Sequence, residues 1–393
     1  MVEWKTIEEL GSFFGGLTGK TKNDFVDGNA NFITYMNVFS NPSLNTSKVG
    51  TVKINEGEKQ NKIQKGDILF TGSSETPEET GMSCVVTDDL KEDFYMNSFC
   101  FGLRLYSPEQ VNLHYLKHIL RSEPVRKSIA KTASGVTRYN ISKARFSKIK
   151  LPIPSLSEQQ RIVSILDTFT SSISNLKQQI EERRKQFEYE REMLFTEFTK
   201  TKTIGELTKV FSCPRVYKDQ WKDSGIPFWR SSDVMSYYNK VQNPRGKVYI
   251  SESLYKDLSK KTEKIEKGDI LVTGGGTIGI PYLKKDNTPL FVKDADLICI
   301  KKSESIIPSY LYHFFFSTGF QLYLKKITHD ATIAHYTIGQ IIDTPVPIPS
   351  LTEQSRIVSI LDTFEQSIAN LEAQLAMREK QYEYYRNQLL TFE

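Results

Sequence analysis

This sequence is short of cysteine and histidine and has no long apolar run, and each shortage removes a class of protein. Four cysteines, Cys84, Cys100, Cys213 and Cys299, stand far apart in 393 residues. With no C-x-x-C pair among them, they offer neither a disulfide framework nor a zinc-site spacing. Five histidines include one i, i+4 pair, His114 and His118, but Tyr115 follows the first where a metalloprotease helix has Glu. No stretch approaches the ~20 apolar residues that span a bilayer, and Met1-Val2-Glu3-Trp4-Lys5 lacks a charged-then-apolar signal pattern. The expectation is a cytoplasmic protein with no membrane partner and no bound metal.

Catalytic signatures are missing as well. There is no Walker loop, no nucleophile elbow and no Pro-Asp dipeptide of the restriction-nuclease kind. Asn41-Pro42 runs into Ser43 and Asn243-Pro244 into Arg245, so neither continues as an Asn-Pro-Pro-aromatic methyltransferase motif. Gly274-Gly275-Gly276-Thr277-Ile278-Gly279 does match G-x-G-x-x-G. That motif holds phosphates only where a helix begins at the loop, and here Ile280-Pro281 follows. A tight loop after a strand is expected instead. Nothing in the sequence performs chemistry, and no cofactor is expected in this chain.

What is present is a repeat. Leu151-Pro152-Ile153-Pro154-Ser155-Leu156-Ser157-Glu158-Gln159-Gln160-Arg161-Ile162-Val163-Ser164-Ile165-Leu166-Asp167-Thr168-Phe169 returns 195 residues later, beginning at Val346. The two copies differ only at Leu151/Val346, Ser157/Thr352 and Gln160/Ser355. The preceding blocks match weakly, most clearly in Lys65-Gly66-Asp67-Ile68-Leu69 against Lys267-Gly268-Asp269-Ile270-Leu271, with Tyr139 and Ile141 against Tyr336 and Ile338. Self-similarity of this kind decides architecture before any local reading does. Blocks span 1–154 and 199–349; helical segments span 155–198 and 350–393.

Ser155-x-x-Glu158 and Ser350-x-x-Glu353 read as capping boxes. Apolar residues then recur at alternating four and three: Ile162, Leu166, Phe169, Ile173, Leu176, Ile180, then Phe187 and Leu194, and likewise from Ile357 to Leu389. A 3.5-residue seam argues for a coiled coil. About 40 residues of helix would reach about 60 Å, with a break near the Ser/Thr-rich stretch 168–172 left open. Two such helices in one chain most simply pair antiparallel, under a pseudo-two-fold internal repeat. The blocks carry short β-type runs (32–38, 67–71, 98–105, 227–231, 247–250, 269–273, 296–301) and apolar helical stretches at 113–120 and 310–316. The fold class is α+β: two similar α/β domains separated by two long antiparallel coiled-coil helices.

Charge follows the repeat. Lys and Arg exceed Asp and Glu by 20 to 17 in 1–154 and by 22 to 15 in 199–349, whereas the helical segments carry 6 against 8 and 4 against 7. The divergent blocks therefore hold the positive charge, which favours a polyanion partner there. Aromatics such as Tyr35, Tyr139, Trp229, Tyr237, Tyr238 and Tyr336 lie among Lys, Arg, Asn and Ser, a mixture suited to stacking and base-edge contact.

Two variable blocks, each followed by Pro-x-Pro-Ser-Leu-[Ser/Thr]-Glu-Gln-x-Arg-Ile-Val and a long helix, resemble the specificity subunit of type I restriction–modification systems, over the whole chain. The resemblance implies that each block is a target recognition domain reading one half of a bipartite double-stranded DNA site. It implies that the helices set the gap and dock two methyltransferase subunits, with motor–nuclease subunits joining for restriction. S-adenosylmethionine, ATP and Mg²⁺ would then be held by those partners. Carried over by position, the DNA-contact candidates are Thr71, Gly72, Ser73 and Ser74 with Gly135, Thr137, Arg138, Tyr139 and Asn140 in the first block. In the second they are Thr273, Gly274, Gly275, Gly276 and Thr277 with His329, Thr332, His335 and Tyr336. Arg138 and His335 align but differ, as residues reading different bases should. Partner-docking candidates are Glu158, Arg161, Glu353 and Arg356, which alternatively are ion pairs of the capping region. The rival readings are a structural coiled-coil adaptor holding two proteins apart, and an enzyme with its own methyltransferase.

Overall fold

The computed structural model describes residues 2–239, 247–328 and 335–392. It divides into two compact units, one of Met1–Lys177 with Ala373–Glu393 and one of Gln178–Glu372. Each unit therefore holds a block, the first part of the helix that follows it, and the end of the other long helix.

In the first unit a four-stranded antiparallel sheet runs in the order Gly11–Gly15, Cys100–Leu105, Ile68–Thr71, Ser83–Val85. A three-stranded sheet places Ala30–Ile33 between Gly50–Val52 and Phe94–Met96, the latter pair parallel. Glu3–Thr6 pairs with Lys150–Ile153 and brings the block's two ends together. The second unit repeats this plan with Val210–Ser212, Leu297–Ile300, Ile270–Thr273 and Pro281–Leu283, and with Ile226–Trp229 between Tyr249–Ile250 and Phe291–Val292. Thr201–Thr203 on Pro345–Pro347 closes it. The weakly matching blocks thus share one topology.

The Lys-Gly-Asp-Ile-Leu motif is explained by the sheet it enters. Gly66 and Gly268 take φ of +90° and +94°, a region open to glycine at little cost. Asp67 is buried and grips the Arg104 guanidinium through both oxygens, at 2.9 and 2.7 Å. Asp269 is equally buried and accepts from the Lys302 amide at 2.9 Å and from Lys301 Nζ at 3.1 Å. A buried carboxylate is tolerable only with such partners. The run 32–38, expected as one strand, is split: Thr34 caps a short helix, Tyr35–Ser40, by accepting from the Asn37 amide. A threonine hydroxyl offered three residues ahead favours the helix start over continued extension.

The long helices are Leu156–Thr196 and Leu351–Leu389, each unbroken, including through 168–172. Their opening turns are core of their own block: Ile162, Val163 and Leu166 are buried among Phe70, Phe101, Tyr115 and Phe146. Ile357 and Leu361 are buried with Tyr310, Phe314 and Phe320. Full burial of each such side chain stabilises by about 1.5–3 kcal/mol. Further along, the helices pair antiparallel inside each unit. In the first, Phe169 stacks on Tyr385 at 5.2 Å and Lys177 pairs with Glu379 at 3.0 Å. In the second, Phe187 stacks on Phe364 at 6.0 Å and Arg184 pairs with Glu372 at 2.7 Å. Arg378 and Arg183 lie over Phe169 and Phe364 at 5.5 and 5.6 Å, where a planar cation meets a π-face.

The ion pairs exchange sign between copies. Lys177 and Glu372 occupy the same repeat position, as do Arg184 and Glu379, yet each cation faces an anion. Two identical helices paired in this register would set Lys177 against Arg184, or Glu372 against Glu379. Like charges opposed in this way oppose association, so the pattern favours pairing of unlike copies.

Candidate nucleic-acid interface

The two groups of sequence-selected residues in each block, far apart in the chain, meet in space. In the first unit Ser73–Ser74 pairs antiparallel with Tyr139–Ile141, which pairs on its other side with Ala133–Ser134. The tip of that hairpin is Gly135-Val136-Thr137-Arg138. Gly135 has φ +145°, and a Cβ there would stand 2.0 Å from the Arg138 carbonyl oxygen, so the turn requires glycine. Gly135, Thr137, Arg138 and Asn140 are exposed, and Tyr139 is half-buried. Arg138 donates from Nε to Ser73 Oγ at 3.2 Å and lies 5.8 Å from the Phe99 ring centre. Its guanidinium is thereby oriented while its other donors face outward.

The second unit repeats the meeting. Gly275 bridges to His335, and the Tyr336 amide donates to the Gly274 carbonyl at 2.9 Å. Gly276, Thr277 and His335 are exposed. A Cβ on Gly274 would lie 2.7 and 2.9 Å from the Ala295 and Tyr336 carbonyl oxygens, so this glycine allows close backbone approach. The loop leads from one strand, Ile270–Thr273, into another, Pro281–Leu283. The G-x-G-x-x-G match is therefore a hairpin with no helix N-terminus to hold a phosphate. His329 and Thr332 lie outside the described residues.

Several candidates point inward. Thr71 and Thr273 are fully buried, and their hydroxyls accept from the Met82 and Ile280 amides, both at 2.9 Å. Tyr336 is buried, with its hydroxyl bonded to Thr344. Ser73 and Ser74 are also buried, Ser73 serving Arg138. These residues hold the loops; the exposed set around Arg138 in one unit and Gly276, Thr277 and His335 in the other is what a partner can reach.

Sequence reasoning missed residues beside this set. A cleft of about 380 Å³ is lined by Tyr35, Met36, Phe39, Ser74, Thr137 and Arg138, among others. Met36, Phe99 and Val136 are 59, 60 and 88 % exposed, and apolar side chains so displayed suit contact with base edges or a thymine methyl. Tyr237 is half exposed and packs at 5.0 Å on Tyr282. Tyr35 and Tyr237 stand in the sequence among aromatics interleaved with polar and basic residues, whereas Met36, Phe99 and Val136 carry no such mark, and the helix bearing Met36 reads as strand. Conversely, two arginines counted toward positive charge are half-buried and turned to backbone carbonyls. Arg121 donates to the carbonyls of Ser83, Val38, Phe39 and Asn41, and Arg126 to those of Glu78, Thr80 and Gly81. Burial pushes both guanidinium groups down to about 10.

At the joint of block and helix, Ser155 and Ser350 accept from the Glu158 and Glu353 amides at 3.4 and 3.2 Å, but the glutamates do not complete the expected capping box. Glu158 instead grips Arg161 at 2.8 and 2.7 Å, and Glu353 grips Arg356 at 2.8 and 2.6 Å. A guanidinium fork outcompetes a single neutral amide. Hydrogen bonding to Arg161, opposed by burial and aided by charge, lowers the Glu158 carboxyl. These pairs are exposed and contribute little stability, which leaves them free for contact. The adjacent glutamines carry the joint. Gln159 and Gln354 are fully buried, accept from the Asn112 and Ile307 amides at 2.7 and 2.9 Å, and donate to the Pro154 and Pro349 carbonyls. His118 and His313, likewise buried, bond Asp167 and Asp362 of the helices at 2.7 and 3.0 Å.

Among the described residues no helix is long and apolar enough to cross a membrane. Residues 1–183 and 197–377 each match the model of the type I restriction modification DNA specificity domain. A Haemophilus influenzae protein named as a type I restriction enzyme specificity subunit is 33% identical over 300 residues, covering 72% of this chain and 73% of that one. A Mycoplasma genitalium type I S subunit has a similar fold, with TM-score 0.56 at 16% identity, over 100% of this chain and 97% of that one. A chain solved in work on assembly and conformational transition of the type I system aligns with TM-score 0.61 at 17% identity, over 99% of this chain and 96% of that one.

Proposed function

We propose, starting from a chain that belongs to the family of type I restriction–modification specificity subunits, that each unit reads one half of a bipartite double-stranded DNA site. The observation that carries this reading is the convergence, twice over, of separate segments into one exposed loop cluster whose residues differ between copies. Arg138 and His335 hold matching places with different donors. Copies that bound the same surface would not need to differ there, whereas readers of two half-sites would. Arg138 presents a fork able to grip guanine O6 and N7. The long helices, continuous in each copy, set the gap between half-sites, as protein geometry does in dimeric DNA readers.

This cytoplasmic chain supplies recognition, and other subunits supply chemistry. Two methyltransferase subunits dock along the nearly identical helix starts, where Glu158, Arg161, Glu353 and Arg356 are presented alike. Motor–nuclease subunits join that assembly. S-adenosylmethionine, ATP and Mg²⁺ belong to those partners. The test is methylation mapping with the reconstituted complex. Arg138→Ala should weaken one half-site by about 1–3 kcal/mol, or 5- to 150-fold, and relax its sequence preference while leaving the other half-site unchanged. If exchanging the bases of either half-site changes nothing, the chain is an adaptor and the reading fails.

A further inference from the structure

The repeat makes one comparison that neither copy makes alone. In the first unit the buried His118 has both ring nitrogens engaged, Nε2 by Asp167 at 2.7 Å and Nδ1 by the Tyr382 hydroxyl at 3.1 Å. In the second, His313 keeps the Asp362 partner on Nε2 at 3.0 Å. Phe187 stands at the repeat position of Tyr382 and presents only its ring, 6.3 Å from that of His313. His313 is fully buried, and its Nδ1 has no hydrogen-bond partner. Thr170 of the first copy is replaced by Glu365, whose Oε1 faces this Nδ1 at 3.9 Å.

In the tautomer whose Nε2–H donates to the Asp362 carboxylate, Nδ1 is an acceptor turned toward Glu365 Oε1. Two acceptors then face each other across a gap too long for a hydrogen bond, an arrangement that calls for a cation between them. One ligand atom from each of His313, Asp362 and Glu365 falls within 4.8 Å of the others. Ligands at about 2.1 Å from one tetrahedral ion stand roughly 3.4 Å apart, so the Nδ1–Oε1 gap closes with a shift of about half an ångström. Asp362 holds the imidazole through its far nitrogen, as carboxylates do behind metal-bound histidines. A cleft of about 650 Å³, lined by Asp362, Glu365, Tyr312 and Lys285 among others, reaches the carboxylates and admits an ion with its waters. Lys285 and Arg191 also lie near Glu365, and their charge limits affinity without filling the gap.

We propose that His313 Nδ1 and Glu365 bind a first-row divalent metal such as Zn²⁺ in the second unit, with Asp362 orienting the imidazole through Nε2 and water completing the coordination. Imidazole nitrogen with carboxylate oxygen selects this class over Ca²⁺ or Mg²⁺. Bound there, the ion clips the block helix Pro308–Phe314 to the long helix Leu351–Leu389. In the first unit the same ring nitrogen is held instead by the Tyr382 hydroxyl, which comes from the other long helix.

The experiment uses the full, untagged chain stripped with a chelator. Co²⁺ should give visible d–d absorption saturating at one equivalent. A hundredfold excess of Zn²⁺ over Kd should raise the Tm by roughly 5 °C. Glu365→Thr restores the first copy's residue, and Phe187→Tyr supplies the missing hydroxyl. Each should weaken Co²⁺ binding at least tenfold, with the metal-free circular dichroism spectrum unchanged. Absence of Co²⁺ absorption in the natural chain, or undiminished binding in Glu365→Thr, overturns the proposal and leaves a proton or a water in the gap.

Discussion

If the helices set the gap between half-sites, lengthening them must lengthen it by a calculable amount. Seven residues inserted between 177 and 178, and seven more between 372 and 373, fall at the divisions between the two units. They leave the Lys177–Glu379 and Phe169–Tyr385 contacts intact in one unit and the Arg184–Glu372 and Phe187–Phe364 contacts in the other. A whole heptad preserves the seam. At ~1.5 Å per residue each helix grows by about 10.5 Å, which is about three base pairs at ~3.4 Å each. Three base pairs also turn the second half-site by about 100° around the duplex. The optimum gap should therefore lengthen by about three base pairs, and methylation at the new optimum should be slower than in the natural complex. The assay is methylation by the reconstituted complex on a series of DNAs that differ only in gap length. Insertion into one helix alone should abolish preference for any gap, because the two connections then disagree by about two turns of helix. An unchanged optimum after double insertion would refute the reasoning.

Two further outcomes follow from the joint between block and helix. Gln159→Ala strands the Asn112 amide and the Pro154 carbonyl in a buried place, at about 1–3 kcal/mol each. Urea unfolding should accordingly show a loss of about 2–6 kcal/mol, as for Gln354→Ala, against about 0.5 kcal/mol or less for the exposed Gln160→Ala; equal effects would show that the buried glutamines do not bear the joint. Acid should also loosen the first unit. Burial, only partly offset by Asp167, lowers the His118 pKa; for Asp167, burial is outweighed by hydrogen bonds from His118 and Lys117, which hold it down to about 2. A histidine with a lowered folded pKa contributes stability above its unfolded value of ~6.5 and loses it as pH falls below that. The Asp167 contribution begins to fade only below ~3.9. The Tm should thus drop between pH 7.5 and pH 5, and His118→Gln should flatten that slope; an equal slope in the variant contradicts the assignment.

Architecture was legible because it rests on local, repeated signals. The nearly identical segments beginning at Leu151 and Val346, the 3.5-residue seam and the Pro-x-Pro entry each act within a few residues or recur at fixed spacing. They announced two blocks, two long helices and antiparallel pairing. Where reading erred, a local competition was decided by geometry. Thr34 turned an expected strand into a helix start, and Arg161 and Arg356 drew the glutamates away from the caps. Neither outcome could be weighed without knowing which donor lies nearest.

The candidate interface divides the same way. Its segments, 71–74 with 135–140 and 273–277 with 335–336, stand in the sequence because they follow a recurrent strand motif or close each block. Only the folded chain separates Thr71, Thr273 and Tyr336, which turn inward, from Arg138, Thr277 and His335, which face solvent. It also supplies Met36 and Phe99 from elsewhere in the block. The same holds for His118 and His313: a histidine and an aspartate 49 residues apart carry no mark of their partnership until two helices pack. Sequence by itself determined the repeat, because periodicity is a property of one dimension. Tertiary structure decided which donors meet, because burial and contact depend on distances that the order of residues does not contain.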